Sequence, residues 1–152
     1  DMRIWHSPSI GQNELEALIK HVSSNVATVP QEERDFLVDI ALARSAVRIA
    51  VERHAGSIEP SYTPSGTVYI QRGKDLTQTK TVVGTGGVIA YGREPKWVLE
   101  AASFDERVPN SLRPRLPQFL VDKDYILYAV GLLSEISPEK ALRIAKKSLV
   151  PV

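Results

Sequence analysis

The run Thr81-Val82-Val83-Gly84-Thr85-Gly86-Gly87-Val88 holds the residue types and spacing that point most directly to chemistry. Valine and threonine favour a strand, and a glycine pair directly after one lets the backbone turn with φ > 0 while bare amides point outward. Such a turn suits a phosphate or a ribose, which makes Gly84, Thr85, Gly86, Gly87 and Val88 the candidate binding residues. Neither standard glycine fingerprint is present: G-x-G-x-x-G would need glycine where Ile89 stands, and Gly73-Lys74 is followed by Asp75 rather than by the P-loop hydroxyl. A strand-ending Gly-Gly also serves as a plain tight turn or bulge, so the cluster alone leaves both readings open.

Other chemistry has less support. His6, His21 and His54 are scattered and fall in no metal-ligand spacing such as H-E-x-x-H, so a structural histidine is the simpler reading for each. There is no G-x-S-x-G nucleophile elbow. Asp122-Lys123-Asp124 brings two carboxylates together, but helix capping and solvation explain them more simply than acid-base work. Arg72, Lys74 and Asp75 stand in a turn one strand before the glycine cluster, where a solvated hairpin tip is the default for charge. Tyr91 and Arg93 are candidates for stacking on a base by proximity only.

The elements that must position the glycine turn belong to a chain of 152 residues, the length of one ordinary domain with a sound core. Apolar residues make up 43% and charged residues 24%, values of a globular protein. The net charge is +1 with both signs mixed along the chain, which leaves no electrostatic footprint for nucleic acid or an anionic membrane. Neither is an expected partner. The chain has no cysteine, which excludes disulfides and thiolate chemistry and suits a reducing cytosol, and no apolar run approaches the roughly 20 residues that cross a bilayer. A cytoplasmic location is expected. The first residue is Asp1 rather than methionine, as in a piece of a longer polypeptide.

The hydrophobic periodicity predicts a short helix capped by Asn13, with Leu15, Leu18, Ile19 and Val22 on one face. A longer helix is expected from near Pro30, buried through Phe36, Leu37, Ile40, Ala43, Val47, Ala50 and Val51 and ended by Gly56 as C-cap. Residues 57–66 read as a loop, 67–71 and 79–83 as strands, and the stretch beginning at Pro95 as a helix with Trp97, Val98, Ala101 and Ala102 inward. After a proline-punctuated connector and the apolar Phe119-Leu120-Val121, Asp122 or Asp124 is placed to cap a helix with Ile126, Leu127, Val130 and Leu133 in the core. Gly131 inside that helix costs about 1 kcal/mol relative to alanine, which suggests a second backbone packed closely against it. Ser137-Pro138-Glu139 starts a final helix with Ala141, Leu142, Ile144, Ala145 and Leu149 as its stripe. No internal repeat and no second domain are evident, so residues 1–152 read as a single domain.

This succession of long helix, strand pair, Thr-Gly-Gly turn, helix and Asp124-Tyr125-Ile126-Leu127-Tyr128-Ala129-Val130-Gly131-Leu132-Leu133 resembles the C-terminal half of an ATPase domain in the acetate and sugar kinase, heat-shock chaperone and actin superfamily. More narrowly, Ala46 to Gly56, Tyr69 to Thr77, Val83 to Val88 and Phe119 to Leu133 are similar to the MutL or GlmL proteins associated with glutamate mutase, which are unrelated to the mismatch-repair protein of the same name. The resemblance implies an α+β fold, a ribonuclease H-like lobe in which a small mixed sheet is flanked by helices. It implies ATP or ADP with magnesium as cofactors of the longer protein, with Gly84 to Val88 near the adenosine and inner phosphates. It further implies a chaperone or reactivating role toward the subunits of an adenosylcobalamin-dependent mutase, glutamate mutase or an aminomutase.

The phosphate hairpins and acidic magnesium ligands of that superfamily lie largely in the first lobe, and no such segment stands in this sequence. The chain therefore resembles one half of a two-lobed machine that lacks its N-terminal lobe. A nucleotide held from one side loses most of its phosphate and metal contacts, so the isolated chain is expected to bind weakly and to hydrolyse negligibly. The alternative is an α+β protein-interaction module without nucleotide, in which the glycine cluster is a structural turn.

Overall fold

A computed structural model describes residues 11–25 and 29–152, and His6 lies outside them. Contacts group the chain into two compact units, residues 1–38 and 39–152. In the first unit α1 spans Gln12–Ser24, and its N-cap is Gly11, so Asn13 falls inside the first turn instead of capping it. Leu18 and Val22 are half-buried while Leu15 and Ile19 remain exposed, which leaves the expected stripe only partly covered. Arg34 pairs with Glu14 at 2.6 Å within this unit.

The long helix α2, Glu33–His54, starts later than Pro30. The Asp35 carboxylate reaches back to accept from the amides of Gln31 and Glu32, each at 3.2 Å, and so satisfies donors that the helix cannot. Along its stripe Ile40 is buried and Ala43, Val47 and Val51 half-buried, whereas Ala50 is exposed. Farther along, the Arg44 guanidinium lies 4.3 Å from the Trp97 ring and donates to the Trp97 carbonyl.

Gly56 does not end α2 as a left-handed cap. Its φ is not positive, and its amide donates to Lys74 O at 2.7 Å. A Cβ on Gly56 would stand 2.2 Å from Arg72 O, so glycine is required because a second backbone crosses there.

That second backbone is the base of a β-hairpin, and the loop expected over residues 57–66 is a strand in its place. β1, Ser57–Thr63, pairs antiparallel with β2, Gly66–Arg72, from Ser57 opposite Arg72 to Thr63 opposite Gly66. The outer edge of β1 meets Asn110 and Ser111 at Ser57 and Ile58, and beyond them Pro60 can sit in the strand with its missing amide on the side away from β2. Arg72, Lys74 and Asp75 therefore stand at the base of the hairpin, not its tip. Arg72 faces Glu59 at 3.9 Å, and Asp75 accepts from the Thr77 amide and hydroxyl at 2.9 and 2.6 Å.

A second sheet carries the glycine turn. β3, Thr81–Gly84, is parallel to β4, Gln118–Asp122, and β4 is antiparallel to β5, Leu149–Pro151. Between β3 and β4 run the single-turn α3, Gly87–Ala90, then α4, Pro95–Leu99, with proline in its first turn, and a 3₁₀ turn at Glu100–Ala102. Val98, Leu99, Ala101 and Ala102 are buried with Leu112, Val121, Val130 and Ala141, and they form the core on which this mixed sheet rests. α5, Leu127–Ser134, and α6, Pro138–Ser148, pack on each other.

Two expectations about this end of the chain change. Leu149 belongs to β5 rather than to the last helix, because Pro151 disfavours helical backbone at Val150. A Cβ on Gly131 would meet nothing within 4 Å, so the described residues make no close approach to it. α5 instead turns Tyr128 and Leu132 outward, 70% and 71% exposed, and Ile136 beyond it is 84% exposed.

Candidate functional site

Parallel pairing places Gly84 opposite Val121, so the next residues, Thr85 and Asp122, emerge side by side at the carboxyl ends of β3 and β4. Crevices outside the carboxyl ends of parallel strands are where open sheets receive ligands. All five sequence candidates lie at this edge.

The glycines do different work. Gly84 is buried, and a Cβ on it would stand 2.7 and 2.8 Å from the two methyl carbons of Leu99 and 2.9 Å from Ile89 Cγ2. Its role is to let β3 settle on α4. Gly86 has φ +102 and ψ 153, a region closed to residues with a Cβ, and it turns the chain into α3. The first amides to fold back inside the turn are those of Ile89 and Ala90, which donate to Gly86 O at 3.0 and 2.8 Å. A Cβ on Gly86 or Gly87 would meet nothing within 4 Å, so the space above the turn is open. Val88 is 38% exposed at the same edge.

Thr85 ties the turn to Asp122, donating its hydroxyl to Oδ2 at 3.0 Å. The Leu127 amide, at the start of α5, donates to the same oxygen at 2.9 Å. Ser148 Oγ donates to Oδ1 at 2.6 Å. Asp122 is not the N-cap residue of α5, which is Ile126, although its carboxylate accepts from the amide of the helix's first residue; the expectation that it is solvated is wrong, since it is 0% exposed. Burial by itself raises the carboxyl pKa, yet the hydrogen bonds from Ser148, the Leu127 and Ile126 amides and Thr85 together hold it below the ordinary carboxylate value. The result is a buried carboxylate joining the glycine turn, the end of β4, the start of α5 and the end of α6. The sequence signal for it is an aspartate directly after the apolar Phe119-Leu120-Val121.

Asp124 remains exposed on the turn that follows, which closes through the Tyr125 amide donating to Asp122 O at 3.1 Å. Tyr125 there has φ +51, the only non-glycine residue with positive φ among those described. Its ring meets Tyr91 edge to face at 6.4 Å and Tyr128 at 5.9 Å. Elsewhere His21 and His54 are exposed on α1 and at the end of α2. Among the described residues no group of histidine and carboxylate side chains converges as metal ligands would. No helix among them is long and apolar enough to cross a membrane.

The model of the family described as MutL protein matches residues 3–149. The chain is also 45% identical over 139 residues to Protein MutL of Clostridium tetanomorphum, a match that covers 91% of this chain and 30% of that relative. The chain thus spans less than a third of the length of the curated relative it matches. No solved structure matches it significantly.

Proposed function

The chain belongs to the MutL family, and on that premise we propose that it is the C-terminal lobe of an ATP-binding chaperone or reactivating factor for an adenosylcobalamin-dependent mutase, glutamate mutase or an aminomutase. The observation that carries the nucleotide part is the position of the Gly84 to Val88 turn. It opens at the carboxyl end of β3, beside the parallel β4, with unfilled space over Gly86 and Gly87. In this reading the bare amides of the turn donate to ribose or inner phosphate, and Thr85 is held in place by Asp122. ATP or ADP with magnesium then binds between this lobe, of ribonuclease H-like and actin-like kind, and an N-terminal lobe in the longer, cytoplasmic protein. Hydrolysis belongs to the two lobes together, and lobe movement acts on the mutase subunits.

The test is a titration of the isolated chain with magnesium-ATP, and separately with ADP, following backbone amide shifts. Changes centred on Gly84 to Val88 and the start of α3 support the reading. If neither this chain nor the longer protein responds at high nucleotide concentration, the reading fails. The second reading, a protein-interaction module without nucleotide, has its own observation: the apolar face of α5 presents Tyr128 and Leu132 to the outside, 70% and 71% exposed. Binding of mutase subunits that is indifferent to nucleotide and lost on Leu132→Glu favours that reading.

A further inference from the structure

Tyr91 follows α3 directly, its amide donating to Gly87 O at 2.9 Å, and so it stands at the far end of the single turn that begins with the glycines. At 1.5 Å per residue the turn advances about 6 Å. Tyr125 comes from beyond β4, the other strand of the parallel pair, on the turn closed by the hydrogen bond that its amide donates to Asp122 O. The two rings meet at 6.4 Å with an interplanar angle of 85°. Tyr128, from the first turn of α5, extends the group at 5.9 Å and 64°.

Two features set this cluster apart from ordinary packing. Tyrosine at φ +51 is in the left-handed region, which residues with a Cβ enter at a cost, and Tyr125 is still 41% exposed. Tyr91 and Tyr128 are 69% and 70% exposed. The strain is therefore not repaid by burial of the rings. In an edge-to-face pair the edge of one ring covers part of one face of the other, and the remaining surfaces meet at a corner, where a flat heterocycle can stack on one ring and touch the edge of the other.

We propose that Tyr91 and Tyr125 form the base-stacking corner of the nucleotide site, with Tyr128 buttressing Tyr125. The proposal rests on the nucleotide reading above and adds the residues that receive the base, which the glycine turn does not supply. Amides at Gly86 and Gly87 and π-faces at Tyr91 and Tyr125 then lie along one edge of the sheet, polar contacts at one end and flat apolar contacts at the other. Stacking on two tyrosines accepts any purine, so the site distinguishes a nucleotide from a bare polyphosphate more sharply than it distinguishes ATP from GTP.

The test compares magnesium-ATP, magnesium-GTP and magnesium inorganic triphosphate by calorimetry on the longer protein, in the wild type, Tyr91→Ala and Tyr125→Gly. Glycine at 125 removes the ring and relieves the backbone, so folding is preserved. The expected result is that the wild type binds either nucleotide at least tenfold more tightly than triphosphate, an advantage that both variants lose while their triphosphate binding stays within twofold. If both variants bind ATP like the wild type while Gly86→Val does not bind it, the stacking corner is overturned and the nucleotide reading stands. If no nucleotide binds the wild type, both fall. If the variants lose affinity for mutase subunits but not for ATP, the rings are a protein contact and the proposal is wrong.

Discussion

Ser148, the last residue of α6, donates its hydroxyl to Oδ1 of Asp122 at 2.6 Å, and both residues are 0% exposed. The bond joins residues that lie 26 positions apart in sequence. With the Lys123 amide donating to Ser148 O at 3.1 Å, it fixes where α6 stops and β5 begins. Because the other oxygen of Asp122 receives Thr85 and the Leu127 amide, the position of the glycine turn depends on a residue about sixty positions later in the chain.

Removing the carboxylate is expected to cost more than removing any one of its donors. Asp122→Ala leaves the Ser148 hydroxyl and the Leu127 amide without their acceptor, at about 1–3 kcal/mol for each buried group, so a loss of about 3 kcal/mol is expected in chemical denaturation. Asp122→Asn keeps one acceptor oxygen and is expected to lose less. Thr85→Val removes a single bond on an exposed residue, worth about 1 kcal/mol, and leaves the fold in place with the turn less fixed. Equal losses for Thr85→Val and Asp122→Ala would show that the carboxylate does not organise the cluster.

Acid should weaken the second unit in a defined range. Hydrogen bonding from the Arg107 side chain and amide holds Asp105 down from 3.8 to about 2, and the donors around Asp122 hold that carboxyl below its ordinary value as well. A carboxylate with a depressed folded pKa stabilises the fold above its unfolded pKa and loses that contribution as the pH falls through the folded one. Unfolding free energy is therefore expected to be level near neutrality and to decline below about pH 5. Asp105→Asn should reduce the slope between 3.8 and 2, and an unchanged slope would rule out this ion pair as a source of it.

The glycines of the turn can be told apart by substitution. Gly84→Ala sets a methyl against the buried Leu99 side chain, an overpacking worth about 1–3 kcal/mol, and is expected to couple with Leu99→Val in a double-mutant cycle. Gly86→Ala meets no neighbour, and its cost, about 1–3 kcal/mol from φ +102, is expected to be independent of Leu99. Coupling of both substitutions to Leu99 would contradict the geometry.

Gly131→Ala is expected to stabilise the isolated chain by about 0.5–1 kcal/mol, since the added methyl meets nothing within 4 Å and helix propensity rises. In the two-lobed protein proposed above, a second backbone covering α5 would make the same change neutral or destabilising. A thermal melt of each form reads the sign directly. Stabilisation in both would leave this glycine without a packing role.

Much of the second unit was legible in local sequence. The β-branched run into Gly84, the proline that opens α4 and the Ser137-Pro138 start of α6 are signals set by neighbours in the chain, and each element stands where those signals put it. What escaped depends on contacts from farther away. Ser57 to Gly66 carries loop composition, and β1 exists because β2 pairs with it and leaves Pro60 an outer edge. β5 escaped because only its pairing with β4 distinguishes it from a further turn of α6. Asp122 looked like a solvated cap because its acceptance of the Ser148 hydroxyl is invisible until α6 is folded back against β4. The glycine turn stands on the run whose composition marks it, while the tyrosines beside it follow α3 and β4 and meet only in three dimensions.

At the base of the hairpin, the Cβ that Gly56 lacks would strike the backbone at Arg72 and Gly73, and the one that Gly73 lacks would stand 2.9 Å from the Gly56 Cα. Neither position can drift alone, and neither can be rescued by the other, because the obstacle on each side is main chain with no side chain left to shrink. In a library randomised at both codons, survivors should carry glycine twice or have given up the hairpin, so that this pair behaves in inheritance as one site written in two places.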